Sequence, residues 1–136
     1  MTALMLERAE ALRSAVLGGS PPLGPGAAPG ERLTAFTDAL VALAVRNSGL
    51  LTAHEHAVAT ARHQDGERQA NPVYEFWHGH VASLIRLANP ELDADVLAHM
   101  LLGTLHSEPV ARLIRNGESE RVTAALRDLA RAVTGR

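Results

Sequence analysis

Leu33, Phe36, Leu40, Leu43 and Ala44 follow one another at intervals of 3, 4, 3 and 1. That spacing lines one face of a helix, whereas strand side chains alternate every second residue. The same rhythm returns along the chain wherever glycine and proline are sparse. Composition agrees with it: 24 Ala and 20 Leu stand against 10 Val and 2 Ile. Ala and Leu lose little on entering a helix, while β-branched and aromatic residues suit strands. Aromatic residues make up 3% of the chain, so the core must be built from small aliphatic side chains. The 136 residues suit one domain that buries roughly two-thirds of its unfolded surface. The expected fold class is an all-α bundle of about 5–6 helices.

Residues 3–17 form the first expected helix, with Leu4, Met5, Ala9, Leu12, Val16 and Leu17 as its apolar positions; Gly18 and Gly19 stop it. Ser20 to Gly30 holds four of the seven prolines and is expected as a loop without helix, mobile over about residues 18–30. A second helix is expected from Glu31 to Asn47, and a third, Ala-rich one from Leu50 to Arg62. The polar stretch His63 to Asn71 reads as a surface loop. Pro72 then suits the first turn of a helix reaching Ala88, since its missing N–H has no helical partner there anyway. Asn89, Pro90 and Glu91 read as cap, first position and dipole partner of the next helix. Between Val96 and Leu105 that helix is apolar nearly all round and needs cover on several sides. Pro109 either kinks it or splits off a short helix, Val110 to Asn116, which Gly117 ends. The last helix runs from Glu118 to Val133 with Val122, Ala125, Leu126, Leu129 and Val133 as its stripe.

Several functional classes fall away. There is no cysteine, hence no disulfide and no thiolate chemistry. Net charge is −2, and the 13 basic residues, all arginine, are scattered, which leaves no electrostatic footprint for nucleic acid. All-arginine usage with abundant Ala and Gly reads as the codon bias of a GC-rich bacterial genome. Charges at Glu7, Arg8 and Glu10 break any signal peptide, and no apolar run reaches the ~20 residues of a membrane span, so a cytoplasmic protein with no membrane contact is expected. No glycine-rich phosphate cradle or nucleophile elbow is present, and no enzyme activity or cofactor is expected.

Seven histidines invite a metal, yet their spacing opposes one. His54-Glu55-His56 opens like a zinc-hydrolase motif, but Val58 stands where the second ligand belongs. His54 and His56, like His78 and His80, lie two apart and point about 200° apart on a helix. Glu75 and His78 match one Glu-x-x-His element of a di-iron bundle, which needs two. Asp95 and His99 are four apart and suit a side-chain pair.

Taken in order, these elements resemble the C-terminal regulatory domain of TetR-family transcriptional repressors. The segments that carry the resemblance are ERLTAFTDALVALAVRNSGLL (31–51), NPELDADVLAHMLLGTL (89–105) and ESERVTAALRDLARAV (118–133), with LMLERAEALRSAV (4–16) similar to the helix that leads out of that family's DNA-reading head. The head itself is missing from this sequence, which is read as starting inside a longer regulator, with Met1 an internal methionine. The resemblance implies a homodimer sealed by the last two long helices, for which Val96, Met100, Leu101, Leu105, Val122, Leu126, Leu129 and Val133 are the expected interface. It also implies an apolar cage holding a small lipophilic effector, with Phe36, Leu40, Tyr74, Trp77, His78, Val81, His99, Gly103 and His106 as expected lining. Read singly, each histidine is also an ordinary hydrogen-bonded core or surface residue. Two other readings stay open: a headless chain that dimerises with full-length regulators and disables them, and a small helical metal-binding protein.

Overall fold

A computed structural model describes residues 3–47 and 72–135. The helix expected from Leu50 to Arg62 and the loop His63 to Asn71, with His54, Glu55, His56 and His63, lie outside the described residues. Within them the chain is all-α, with six helices and no strand. They are α1 (Ala3–Gly18), α2 (Pro29–Arg46), α3 (Pro72–Ala88), α4 (Ala94–His106), α5 (Glu108–Arg115) and α6 (Ser119–Thr134).

The fold is organised around α2. Its apolar stripe buries Leu33, Phe36, Leu40, Val41 and Leu43, and both Leu33 and Phe36 are wholly inaccessible. Against it lie the inner faces of α3 (Val81, Ala82, Leu84, Ile85) and α6 (Val122, Leu126, Ala130). Burial of each such aliphatic or aromatic side chain stabilises the fold by about 1.5–3 kcal/mol before entropy is counted. Consecutive helices in each of two pairs run antiparallel, as their side-chain ties show. Arg8 near the start of α1 donates to the Arg46 carbonyl (3.0 Å) and to Asn47 Oδ1, while Arg32 in the first turns of α2 reaches back to the Val16 carbonyl (3.0 Å). Likewise Arg86 of α3 pairs with Asp95 of α4 (3.0 Å), and Tyr74, at the opposite end of α3, meets His99.

Several boundaries differ from expectation for local reasons. Helix α2 starts at Pro29, since proline suits a first turn and Arg32 N–H already bonds the Ala28 carbonyl (2.9 Å). Helix α4 is capped by Asp93, whose Oδ1 accepts from Val96 N–H (3.3 Å). Asn89 does not cap it: its side chain accepts from Glu91 N–H (3.3 Å), and its carbonyl from Leu92 N–H (3.2 Å), closing a tight turn instead. Of the two roles open to Pro109, the structure shows the second: it sits in the first turn of the separate helix α5. Gly117, at φ 83°, ends α5 with paired bonds from Gly117 N–H to Ile114 O and from Glu118 N–H to Leu113 O, the left-handed cap that only glycine adopts cheaply.

The Pro/Gly segment 19–28 is a run of turns lying on the helices. Gly24 is obligatory there, because a Cβ would fall 2.0 Å from the Gly19 carbonyl oxygen. Half-buried Leu23 packs on the core, and its carbonyl accepts a long bond from Arg32 (3.5 Å). No helix of the described residues is long and apolar enough to cross a membrane.

Candidate functional site

Helices α3 and α4 meet along a face of rings. The imidazoles of His78 and His99 stack with centroids 3.9 Å apart, and Tyr74 lies 5.8 Å from His99 with its ring within 13° of parallel. His106 approaches the same tyrosine edge-on at 6.4 Å. Helical spacing explains the gathering: Tyr74 and His78 are one turn apart on α3, while His99 and His106 are two turns apart on α4.

Hydrogen bonds orient each ring. His78 Nε2–H donates to the Asp95 carbonyl (2.9 Å), and His106 Nδ1–H to the Leu102 carbonyl (2.9 Å), because a carbonyl oxygen only accepts. The Tyr74 hydroxyl and His99 Nδ1 are 2.8 Å apart. Burial raises the Tyr74 phenol above its ordinary value, so the hydroxyl keeps its proton and can donate to or accept from the His99 ring nitrogen. Asp95 and His99 do not pair as their spacing had implied; the Asp95 carboxylate turns to Arg86. Among the described residues no group of three or more histidine or acidic side chains is placed to hold a metal ion.

The expected effector-lining residues therefore divide. Tyr74, His78, His99 and His106 come together at the α3/α4 face. Gly103 is exposed, with open space where a Cβ would stand. Phe36, Leu40 and Val81 are buried in the core between α2 and α3, at 0%, 4% and 1% exposure. Trp77 belongs elsewhere, on the opposite flank of α3 beside α1.

The expected interface residues also divide. Leu101, Val122 and Leu126 are buried within a single chain at 6%, 6% and 3% exposure. Leu105 and Val133 are half-buried against the same core. Val96, Met100 and Leu129 remain open at 45%, 62% and 45%, on the faces of α4 and α6 turned away from α2. The exposed stripe on α4 starts with Leu92 just before the helix, and that on α6 includes exposed Ala125 and Ala132.

Two clefts mark the surface. A broad groove of about 1000 Å³ lies between the start of α2 and the ends of α3 and α6, lined among others by Pro29, Thr34, Asp38, Leu87 and Arg131. A smaller one, about 230 Å³, lies between α1 and the start of α3, lined by Leu6, Ala9, Glu10, Arg13, Phe76 and Trp77 among others. Arg13 places its guanidinium 5.0 Å from the centre of the Phe76 ring.

Behind Phe76 stands a residue that the spacing argument had only set aside. His80 lies parallel to Phe76 at 6.1 Å and edge-on to Phe36 at 4.9 Å. Burial, helped by the nearby Arg32 charge, lowers its pKa to about 4, so the ring is neutral at physiological pH. Its Nε2 and the Nε of Arg32 are both buried without a hydrogen-bond partner. A signal was present in the sequence: Phe76, His80 and Leu84 repeat every fourth residue, which carries His80 on to the inner side of α3.

Comparison with protein-family models, with curated proteins and with solved structures finds no match for this chain.

Proposed function

We propose that this chain is the effector-binding and homodimerising domain of a TetR-like transcriptional regulator, working in the bacterial cytoplasm. The observation that carries the reading is the two-sidedness of α4 and α6. Each fills the core with one face and keeps a second apolar stripe, Leu92–Val96–Met100 and Ala125–Leu129–Ala132, on the surface. Aligned exposed apolar residues of this kind are a liability unless a partner covers them, and a second copy of the chain offers the same stripes in return. The resemblance in helix order and connecting residues supports the choice of family.

In this reading α1 is the lever. It is tied at one end through Arg8 to the close of α2 and at the other through the Val16 carbonyl to Arg32. A small molecule lodged against it would favour one α1 position over another, and a differential affinity of about 1–3 kcal/mol suffices for regulation. DNA would be touched only through a head joined ahead of α1, not by this domain. In this reading α1 moves and the α2–α6 core supports it.

Sedimentation velocity tests the reading. The wild-type chain is expected to sediment as a dimer at micromolar concentration, and the double variant Val96→Glu, Met100→Glu as a helical monomer. A wild-type chain that stays monomeric well above that range would overturn it.

A further inference from the structure

Leu92, just before α4, and Val96, His99, Gly103 and His106 within it follow at intervals of 4, 3, 4 and 3, and all five are exposed. Intervals that average 3.5 residues hold side chains on one side of a helix, the pattern by which two helices meet along a seam. The apolar stripe Leu92–Val96–Met100 therefore shares its face with two imidazoles, and Gly103 between them has open space where a Cβ would stand. A second copy that covers Val96 and Met100 also covers His99, which is three residues from the first and next to the second. His106 lies two turns further along the same line. Histidine is the side chain whose ordinary charge change falls between about pH 5 and 8. We infer that these histidines gate the dimer by protonation: two copies close over neutral His99 and His106 rings, and acid parts them. This gate rests on the dimer proposed above and adds its regulation.

The geometry directs the proton's effect to the assembly rather than to the fold. His78 Nε2 meets the Asp95 carbonyl, His106 Nδ1 the Leu102 carbonyl and His99 Nδ1 the Tyr74 hydroxyl. Each of those oxygens accepts from a charged imidazole as well as from a neutral one, so protonation breaks none of the three bonds. The surrounding charges do not offset it. From α3, His78 stacks on His99 at 3.9 Å and brings a second positive charge, Tyr74 keeps its proton, and Arg86 adds a cation. The carboxylates within one turn of the two seam histidines are already engaged, Asp95 with Arg86 (3.0 Å) and Glu108 with Arg115 (2.9 Å). In the single chain, water and salt screen the imidazolium charges. In the dimer the rings of both copies come together against an apolar stripe, where a charge loses its water and finds no counter-charge.

The test is sedimentation velocity of the whole chain at pH 7.5 and pH 5.5, at one ionic strength. The dimer dissociation constant is expected to rise at least about tenfold at the lower pH, the effect of excluding one proton from the dimer over one pH unit below the ordinary histidine value. Helix content by circular dichroism should stay the same. The double variant His99→Leu, His106→Leu cannot titrate at the seam and extends its apolar stripe, so it should dimerise equally at both pH values. It keeps His80, so any acid effect on the inner side of α3 is common to both proteins. If the leucine pair aggregates, His99→Asn with His106→Asn takes its place and must show the same indifference to pH. A wild-type dissociation constant equal at the two pH values overturns the gate and leaves the dimer standing. A wild-type chain monomeric at pH 7.5 overturns both. Loss of wild-type helix at pH 5.5, or a variant that parts at pH 5.5 as the wild type does, would also overturn the gate.

Discussion

His78 and His80 stand two residues apart on α3 and meet opposite surroundings. His78 faces α4, stacks on His99 and gives its Nε2 proton to the Asp95 carbonyl. His80 faces α2, lies between Phe36 and Phe76, and has a buried Nε2 with no partner. One side of α3 is a ring surface in which each imidazole holds a hydrogen bond. The other is an apolar packing in which a half-buried polar ring is held neutral. The contrast teaches that residue type alone assigns no role to a histidine; the roughly 200° between positions i and i+2 of a helix decides which environment it meets.

The strongest way to break the comparison is to hollow out the apolar side. Phe36→Ala removes the wholly buried ring against which His80 rests, and should destabilise the protein by about 3–5 kcal/mol in urea unfolding. Leu87→Ala, on an exposed position of α3, should change stability by less than about 0.5 kcal/mol.

Acid sharpens the contrast next. The unfolded His80 takes up a proton near 6.5, whereas the folded ring resists until about 4. Between those values the unfolded chain binds more protons, so the contribution is fully present above 6.5 and is lost as pH falls toward 4. Its size is at most about 3 kcal/mol, reduced by whatever solvent screening the ring retains. Urea unfolding at pH 7 and pH 5 should show this loss in the wild type and a smaller one in His80→Phe.

On the ring side the effects shrink. Tyr74→Phe deletes the hydroxyl at 2.8 Å from His99 and should cost no more than about 1 kcal/mol, with the oligomeric state unchanged. The smallest effect is expected from Asp38→Asn, which weakens the exposed two-pronged pair with Arg127 joining α2 to α6 (2.9 and 3.0 Å). Its melting temperature should drop slightly at low salt and match the wild type in about 1 M salt, where the screening length is about 3 Å.

The helices were legible because periodicity and punctuation acted together. The Leu33–Phe36–Leu40 rhythm located α2, and Pro72 and Ala88 bounded α3. The α4 cap was misread at Asn89, since Asn and Asp both cap helices and only the backbone path chooses Asp93. The shared face of His99 and His106 follows from their spacing of seven, whereas their meeting with Tyr74 and His78 is made by packing α3 on α4. What spacing cannot supply is which stripe of an all-apolar helix turns inward. Thus Leu101, Val122 and Leu126 fill the core of the single chain, while Met100, one residue from Leu101, is exposed. Nor does the sequence show that the charge of Arg32, 48 positions away, would be felt at His80, because that effect is made by packing α2 on α3.

The most direct test of the two-sided helix is a titration of the histidine ring resonances, assigned by comparison with His80→Phe. The account expects the His80 ring to remain neutral at pH 5 and to gain its proton only near about 4. A midpoint at the ordinary value near 6.5 would mean that the ring is solvated rather than enclosed, and would contradict the inner face of α3 described above.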